Sequence, residues 1–246
     1  MLFDSSGRWY CLYRVLCRYR SLVMARVKSI GAPADGRSTR WAQHRERRRA
    51  EFVDAAMRAV EQHGPDVLTE QIATAAGVPR PKLYRYFDGK ADLHRAVAER
   101  AVELFDAELE PLWHAGLPPV ELVRGVVGRS LDWIGEHANL YRYLQRDVGS
   151  TGVYDRGRSA LRSQVINVVT AYRDAIGAPA YRTDALAVGL VGLVEATVDQ
   201  WLADPSGFGR DELTEELVRW IWAILSDLAQ RHGVRIDPEQ VVIAGS

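Results

Sequence analysis

The feature that most constrains the fold of this 246-residue chain is a succession of amphipathic helical segments separated by glycine and proline. Between residues 43 and 63, for example, Phe52, Ala56, Ala59 and Val60 recur every three to four positions, which places them on one helix face. No segment alternates apolar and polar residues at a period of two between turn signals, so a sheet is not expected. The pattern predicts an all-α fold.

The breaks between segments predict the order of the helices. Two short helices follow the first one, and a longer helix starts at Lys90 after Asp88-Gly89 and is expected to end near Pro111. Beyond Gly116 to Pro119 the spacing predicts five further helices, at about 119–138, 139–147, 157–176, 183–203 and 210–232.

The net charge of zero conceals an asymmetry along the chain. Residues 1–100 hold 19 basic and 11 acidic side chains, whereas residues 101–246 hold 13 and 21. A basic module joined to an acidic body is typical of nucleic-acid-binding proteins, although a charged run is also common on ordinary solvated surfaces. The apolar fraction of 47% is enough for a sizeable core.

The N-terminal segment predicts neither a signal peptide nor a disulfide framework. Cys11 and Cys17 are the only cysteines and have no nearby His or Cys partners for a metal, while arginines interrupt the apolar stretch from Leu12 to Val23. No run approaches about 18 uninterrupted apolar residues. We therefore expect a cytoplasmic protein with no membrane partner and no cofactor.

Residues 1–40 are expected to form a disordered N-terminal extension. Residues 1–23 contain three tyrosines and a tryptophan without helical or alternating spacing, and Met24 opens a polar stretch rich in Gly, Pro and Ser. We interpret Met24 as the start of translation. The alternative is a genuine basic and aromatic arm that contacts DNA or a membrane.

Two short helices hinged at Ala76-Gly77-Val78 predict a helix-turn-helix (HTH), whose second helix enters the major groove. Leu83 and Phe87, four residues apart, are expected to point into the core. The outward positions carry basic or aromatic side chains, which can bond bases and phosphates: Arg80, Lys82, Tyr84, Arg85 and Tyr86. The run Arg45, Arg47, Arg48 and Arg49 would add electrostatic contacts to the phosphate backbone.

The stretch from Leu68 to Lys90 resembles the signature of the tetracycline-repressor (TetR) family of transcriptional regulators. Gly77, Leu-Tyr-x-Tyr-Phe at 83–87 and Lys90 stand in the same register, and the similarity extends over roughly residues 45–93. The resemblance implies an HTH domain at 41–92 and a helical ligand-binding and dimerisation domain at 93–246. It further implies a homodimer on a palindromic operator, a small-molecule effector and, by default, repression.

By position, the resemblance implies DNA contacts from Thr69, Arg80, Pro81, Lys82, Tyr84, Tyr86 and Lys90. Pro79 departs from the family pattern, because that position is often a capping Ser. Since a residue before proline avoids helical geometry, we expect Arg80 to precede the second helix and Pro81 to begin it. The sequence does not determine which of these residues contacts a base.

The C-terminal body holds five of the seven tryptophans, which could line an apolar ligand cavity or serve as core and dimer contacts. Glu195 and Asp199 stand four apart on an otherwise apolar helix. Each needs a partner, and we favour an arginine from a neighbouring helix over a cationic or hydroxyl-bearing ligand. The predicted ligand contacts are Trp133, Tyr141, Glu195, Asp199 and Trp201.

Two stripes on the last two helices predict the dimer interface that the resemblance implies, with packing inside one protomer as the alternative. The first consists of small residues and the second of large aliphatic ones: Ala185, Gly189, Gly192 and Ala196, then Leu213, Leu217, Ile221, Ile224 and Leu228.

Catalytic motifs are absent from the sequence. It contains no Gly-x-Ser-x-Gly elbow, phosphate-binding glycine loop or His-Glu-x-x-His helix, and its six histidines are scattered. We therefore predict a ligand-responsive transcriptional regulator and not an enzyme. The alternative is an architectural DNA-binding protein that senses no ligand.

Overall fold

The structure, a computed structural model, describes residues 36–146, 152–175, 183–204, 206–233 and 235–238. Over these ranges it contains nine α-helices and no strand, which confirms the all-α prediction. The helices are α1 (Gly36–His63), α2 (Thr69–Ala75), α3 (Arg80–Leu83), α4 (Gly89–Trp113), α5 (Pro119–Glu136), α6 (Ala138–Gln145), α7 (Val153–Ala175), α8 (Asp184–Ala203) and α9 (Arg210–Arg231).

The chain divides into two compact units, residues 1–48 and residues 49–246. In the first unit the structure describes residues 36–48, which are helical, and the indole of Trp41 meets the ring of His44 edge-on at 6.5 Å. Helix α1 begins at Gly36, earlier than the predicted start near Gln43. The predictions for Met24 and the two cysteines lie outside the described residues.

The five helices from α5 to α9 begin and end within four residues of their predicted bounds. The prediction that the long helix ends near Pro111 is wrong, because α4 continues through Pro111 to Trp113. In a last helical turn, the missing proline N–H removes only one backbone hydrogen bond. The connection to α5 then turns at Gly116, where φ is +61°.

One hydrophobic core runs through the second unit. At the N-terminal end it is built from Phe52 and Val60 of α1, Ile72 of α2 and Leu83 of α3, each at most 3% exposed. Further along, α5 packs against both α4 and α9, and α7 packs against α4 and α8. Helix α4 crosses the predicted domain boundary at residues 92 and 93 without a break, and that boundary stays a prediction.

Helix α8 is long and apolar enough, by length and composition alone, to cross a membrane, although the sequence has no uninterrupted apolar run of that length. Length and composition are weak evidence, because a core helix of a globular protein passes the same test. Only 22% of its apolar stretch is buried within the described chain. Several of its other apolar residues are half-buried against the core, and Val188 is 51% exposed.

Candidate nucleic-acid interface and cavity

The turn between α2 and α3 has the geometry that the sequence predicts. Ala76 closes α2 by donating its N–H to the carbonyl of Ile72 at 2.9 Å, and Gly77 follows with φ +64°. The N–H of Val78 returns to the carbonyl of Ala73 at 3.0 Å. A residue with a Cβ atom is strained in this left-handed backbone conformation, whereas glycine adopts it readily. Gly77 therefore allows the turn that sets the angle between the two helices.

Two local predictions at these helix starts are wrong. Helix α3 begins at Arg80, one residue before Pro81, because a proline in the first turn lacks only an N–H that has no partner inside the helix. The sequence also suggests Thr69 as the N-cap of the first of these two helices, and this prediction is wrong as well. Leu68 holds that position, and its N–H bonds the side-chain oxygen of Gln71 at 2.7 Å.

The side chains of α3 and of the turn that follows it divide into an inward and an outward set, as predicted. Leu83 and Phe87 are at most 2% exposed and lie in the core. The outward set is exposed to solvent: Arg80, Pro81, Lys82 and Arg85, with Lys90 at the start of α4. Their contacts with DNA stay predictions.

A polar cluster joins the two helices of the HTH. Arg80 forms an ion pair with Glu70, and its guanidinium lies 5.4 Å from the ring centre of Tyr84. The hydroxyls of Tyr84 and Thr69 form a hydrogen bond at 3.4 Å. Its stabilisation of the ionised Tyr84 oxygen lowers the pKa of Tyr84. Three predicted contact residues therefore lie together, although Thr69 is buried at 8% exposure.

Tyr86 differs from its predicted outward orientation. Its ring meets the ring of Phe52 edge-on, with 5.0 Å between their centres, and the side chain is half-buried. Most of the ring surface thus belongs to the core packing. A role in DNA binding would fall to its remaining accessible part and stays a prediction.

Arg49, which the sequence analysis assigned to the phosphate backbone, instead ties α1 to the start of α4. Its guanidinium donates to the two carboxylate oxygens of Asp92 at 3.0 and 3.1 Å and to the carbonyl of Tyr86 at 2.7 Å. It also lies 4.3 Å from the ring centre of Phe87. The hydrogen bonds from Arg49 hold the pKa of Asp92 well below its usual range.

A second feature, a cavity of about 210 Å³, lies among helices α4 to α9. Most of its lining is aliphatic, with five aromatic side chains added: Phe105, Trp113, Trp133, Tyr141 and Tyr154. Burial raises the pKa of both tyrosine hydroxyls. An apolar cavity with few polar groups is typical of a small-molecule site.

Three of the five predicted ligand residues line the cavity, namely Trp133, Tyr141 and Glu195. Asp199 and Trp201 are not among the lining residues, and their contacts with a ligand stay predictions. The four-residue step from Glu195 advances about 6 Å along α8. Asp199 there accepts hydrogen bonds from the Tyr141 hydroxyl at 3.1 Å and from Gln145 at 2.7 Å. Trp201 is half-buried against the core.

Glu195 has the arginine partner that the sequence analysis favoured. Arg158 of α7 lies 2.6 Å from its carboxylate, and both side chains are largely buried. Both residues also line the cavity. The pair therefore contributes no net charge to the lining.

Asp106 of α4 is a cavity residue that the sequence analysis missed. It shares one face of α4 with Val102, Phe105 and Leu109, at a spacing of i, i+3, i+4 and i+7 from Val102. An acidic residue on this apolar face was a signal available in the sequence. In the part of the chain that the structure describes, no group of three or more side chains could hold a metal ion.

The fold and the HTH together define a DNA-binding transcriptional regulator. Two family models match, one described as bacterial regulatory proteins of the TetR family over residues 52–97, and the other as a tetracyclin repressor-like C-terminal domain over residues 119–224. The chain belongs to the TetR family of transcriptional regulators.

Similar proteins agree with this assignment. The chain is 27% identical to an uncharacterised HTH-type transcriptional regulator of Mycobacterium tuberculosis, over 85% of this chain and 90% of the relative. It is 26% identical to the transcriptional activator FasR of Mycolicibacterium smegmatis, over 74% and 84%. A crystal structure of a TetR-family regulator from Streptomyces coelicolor superposes with a TM-score of 0.59 at 27% identity, covering 76% of this chain and 86% of that one.

Proposed function

We propose that this regulator binds a palindromic DNA operator as a homodimer and is released when a small, largely apolar effector occupies the cavity. The observation that carries the proposal is that two helices lining the cavity, α4 and α6, also contact α1 of the predicted DNA-binding domain. Repression is the default direction for this family, and effector binding would then induce the target genes. Since the target is chromosomal DNA, we place the protein in the cytoplasm.

On the DNA side, the exposed residues of α3 are the proposed readers. Arg80 is suited to a guanine edge or a phosphate, and Lys82 to a phosphate. Pro81 would contact base edges as an apolar group. Lys90, in the first turn of α4, would hold a phosphate at a helix end whose free N–H groups favour anions. Thr69, Tyr84 and Tyr86 would support these contacts from the positions described above.

For the dimer, we propose the exposed faces of α8 and α9, with a correction to the predicted stripes. Leu213, Leu217 and Ile221 are at most 6% exposed inside the protomer, so this part of the α9 stripe is core. Ile224 of the predicted stripe is 42% exposed and stays available to a partner, together with Trp220, which the stripe did not include and which is 36% exposed.

The small-residue stripe of α8 supports the same interface. A Cβ atom added at Gly189 or Gly192 would meet no neighbouring atom, so both glycines face open space. Val188 beside them is 51% exposed. Small residues let two helices approach closely, and a second copy would cover the apolar surface that α8 leaves open.

Coupling between cavity and DNA would pass through α4 and α6. Helix α4 lines the cavity at Phe105 and carries Asp92, the partner of Arg49, near its start. Helix α6 contributes Tyr141 to the cavity, while its Asn139 donates to the carbonyl of Glu61 in α1 at 2.9 Å. An effector that favours a different spacing of these helices must weaken operator binding by the same factor by which the operator weakens effector binding.

The experiment that tests the DNA side is selection of bound sequences from random duplex DNA, with the full chain at one near-physiological salt concentration. We expect a palindrome whose half-sites lie about 34–36 Å apart, one turn of the duplex. Recovery of no motif, with steeply salt-dependent binding to every sequence, would contradict the proposal and favour an architectural DNA-binding protein.

The effector side requires its own measurement. Binding of the recovered operator is measured with and without molecules that fill the cavity, with a scrambled duplex as the control. We expect an effector to lower operator affinity while leaving binding to the scrambled duplex weak throughout. Equal operator affinity with and without every bound molecule would overturn the proposed regulation.

A further inference from the structure

The charged groups of the cavity indicate the chemistry of the molecule that it takes. Three charged side chains line it, namely Asp106, Arg158 and Glu195. Arg158 and Glu195 neutralise each other at 2.6 Å. Asp106 therefore gives the lining a net charge of about −1 at neutral pH.

Asp106 has no partner for its charge within the described ranges. No hydrogen bond or ion pair reaches its carboxylate there, whereas the neighbouring acids of α4 are engaged, Glu103 with Arg100 and Glu110 with His114. Asp106 lines the cavity but is itself exposed to solvent. Desolvation by the neighbouring apolar side chains, together with the charge of Glu110, raises its pKa. A carboxylate at the edge of an apolar cavity attracts a cation whose apolar part is bound there, because the lower local dielectric strengthens the interaction of the two charges.

The aromatic side chains of the cavity favour the same kind of ligand. Phe105 stands next to Asp106 in the chain, and its ring meets the ring of Trp133 edge-on with 5.3 Å between their centres. Trp113 lies two turns further along α4 and also lines the cavity. Aromatic faces attract organic cations, most strongly where water is partly excluded, and they accept apolar bodies as well.

We propose that the effector is a lipophilic monocation, whose positive group pairs with Asp106 while its apolar body fills the space between Phe105, Trp113 and Trp133. This inference rests on the proposed function, because it assumes that the cavity is the effector site. An anionic molecule is disfavoured, since it would approach an unpaired carboxylate and find Arg158 already paired with Glu195.

The position of Asp106 gives the charge a direct route to the HTH. Asp106 lies on α4, the helix whose first turn holds Asp92 in contact with Arg49. A cation that draws Asp106 toward the cavity therefore acts on the element that supports the recognition helix. A neutral molecule of the same size would fill the cavity without this electrostatic attraction to Asp106.

The test compares three probes that share one apolar body and differ in charge: naphthylmethyl-trimethylammonium, naphthylmethanol and naphthylacetate. Their affinities for the full-length protein are measured by calorimetric titration at pH 7. The same titrations are made with Asp106→Asn, which keeps the shape and removes the charge. Glu103→Gln is the matched control, because it removes an exposed charge from the same helix outside the cavity lining.

We expect the wild type to bind the ammonium at least tenfold more tightly than the alcohol, and the carboxylate most weakly. In Asp106→Asn this preference for the ammonium should fall by about tenfold while the affinity for the alcohol is unchanged, and Glu103→Gln should behave as the wild type. If the alcohol binds as tightly as the ammonium, or if Asp106→Asn keeps the preference, the inference is overturned and the cavity remains an effector site. If none of the three probes binds, the inference is overturned, and the effector role of the cavity is decided separately by the operator-binding measurement.

Discussion

At the scale of single residues, the ion pair between Arg49 and Asp92 is a partly buried contact that links α1 to α4 beside the HTH. Arg49 also donates to the carbonyl of Tyr86, so this residue connects α1 with α4 and with the turn after α3. The side chains of Arg49 and Asp92 are only 24% and 12% exposed. Removing one partner leaves the other charge partly buried without compensation. We expect Asp92→Asn to lower the free energy of unfolding by about 2–3 kcal/mol at pH 7, measured by urea denaturation.

The pH dependence of the same variant checks the cause. The pKa of Asp92 is lower in the folded chain than in the unfolded chain, so its contribution to stability is complete above about pH 4 and decreases as the pH falls. The difference between wild type and Asp92→Asn should therefore narrow by about 1 kcal/mol between pH 6 and pH 3. Glu108→Gln, which removes an exposed pair with Arg129, is the control and should cost less than about 0.5 kcal/mol. A difference that does not vary with pH would contradict an electrostatic origin.

Gly77 provides a second test at this scale. Its φ of +64° strains a residue that has a Cβ atom, yet an added Cβ would meet no neighbouring atom. Gly77→Ala should lower the free energy of unfolding by about 1 kcal/mol through backbone strain alone. Gly77→Asn should cost less, because asparagine tolerates this conformation better. Equal losses for both variants would indicate that strain is not the cause.

The residue scale also separates what the sequence predicts from what it does not. The inward positions of Leu83 and Phe87 follow from spacing within one short segment, and the structure confirms them. The partner of Arg49 is 43 positions away, so no local pattern distinguishes this structural arginine from one that contacts phosphate. Asp106 differs, because its place on an apolar helix face was visible in the sequence.

At the scale of elements, the predicted helix bounds agree best with the observed ones where glycine or proline ends a helix, since those residues act on the local backbone. The predictions fail where two local preferences compete. Arg80 adopts helical geometry despite the following proline, because α3 packs on the core through Leu83. Asp199 shares a helix with Glu195, but the facing helices determine which residues of α8 border the cavity.

The four-residue helix α3 carries the prediction that belongs to this scale. If Lys82 contacts a phosphate, Lys82→Ala should weaken binding to all DNA sequences alike and reduce the slope of log K against log salt by about 1. If Arg80 reads a base, Arg80→Ala should cost about 1–3 kcal/mol on the operator and relax the preference at one position. Both are measured by fluorescence anisotropy over a range of salt concentrations.

Arg219→Ala is the matched control for α3, because Arg219 is an exposed arginine of α9 that pairs with Glu216. It should leave both the slope and the sequence preference unchanged. Arg80 also forms an ion pair with Glu70, so its loss should not reduce nonspecific binding as strongly as the loss of Lys82. An unchanged slope in Lys82→Ala would exclude the proposed phosphate contact.

At the scale of the whole molecule, the prediction of the α9 face shows what periodicity leaves open. Leu213, Leu217 and Ile221 recur as an interface stripe would, but the same spacing suits packing on α5, and the structure places them in the core of the protomer. A stripe of apolar residues on a helix predicts that this face is buried, but it does not predict whether the same protomer or a second one buries it. Only the tertiary arrangement separates Ile224 of the same stripe, which is exposed together with Trp220, from the buried members.

The dimer itself is tested by a charge on the uncovered face of α8. Val188→Glu would bury two carboxylates in the proposed interface without partners, so we expect the protein to sediment as a monomer at concentrations where the wild type is a dimer. Ala107→Glu, at an exposed position of α4, is the control and should leave the association unchanged. Because a palindromic operator is bound by two HTH units at once, a folded monomer should bind it far more weakly while its affinity for a single half-site changes little. A Val188→Glu protein that remains dimeric and binds the operator as the wild type does would place the interface on another face.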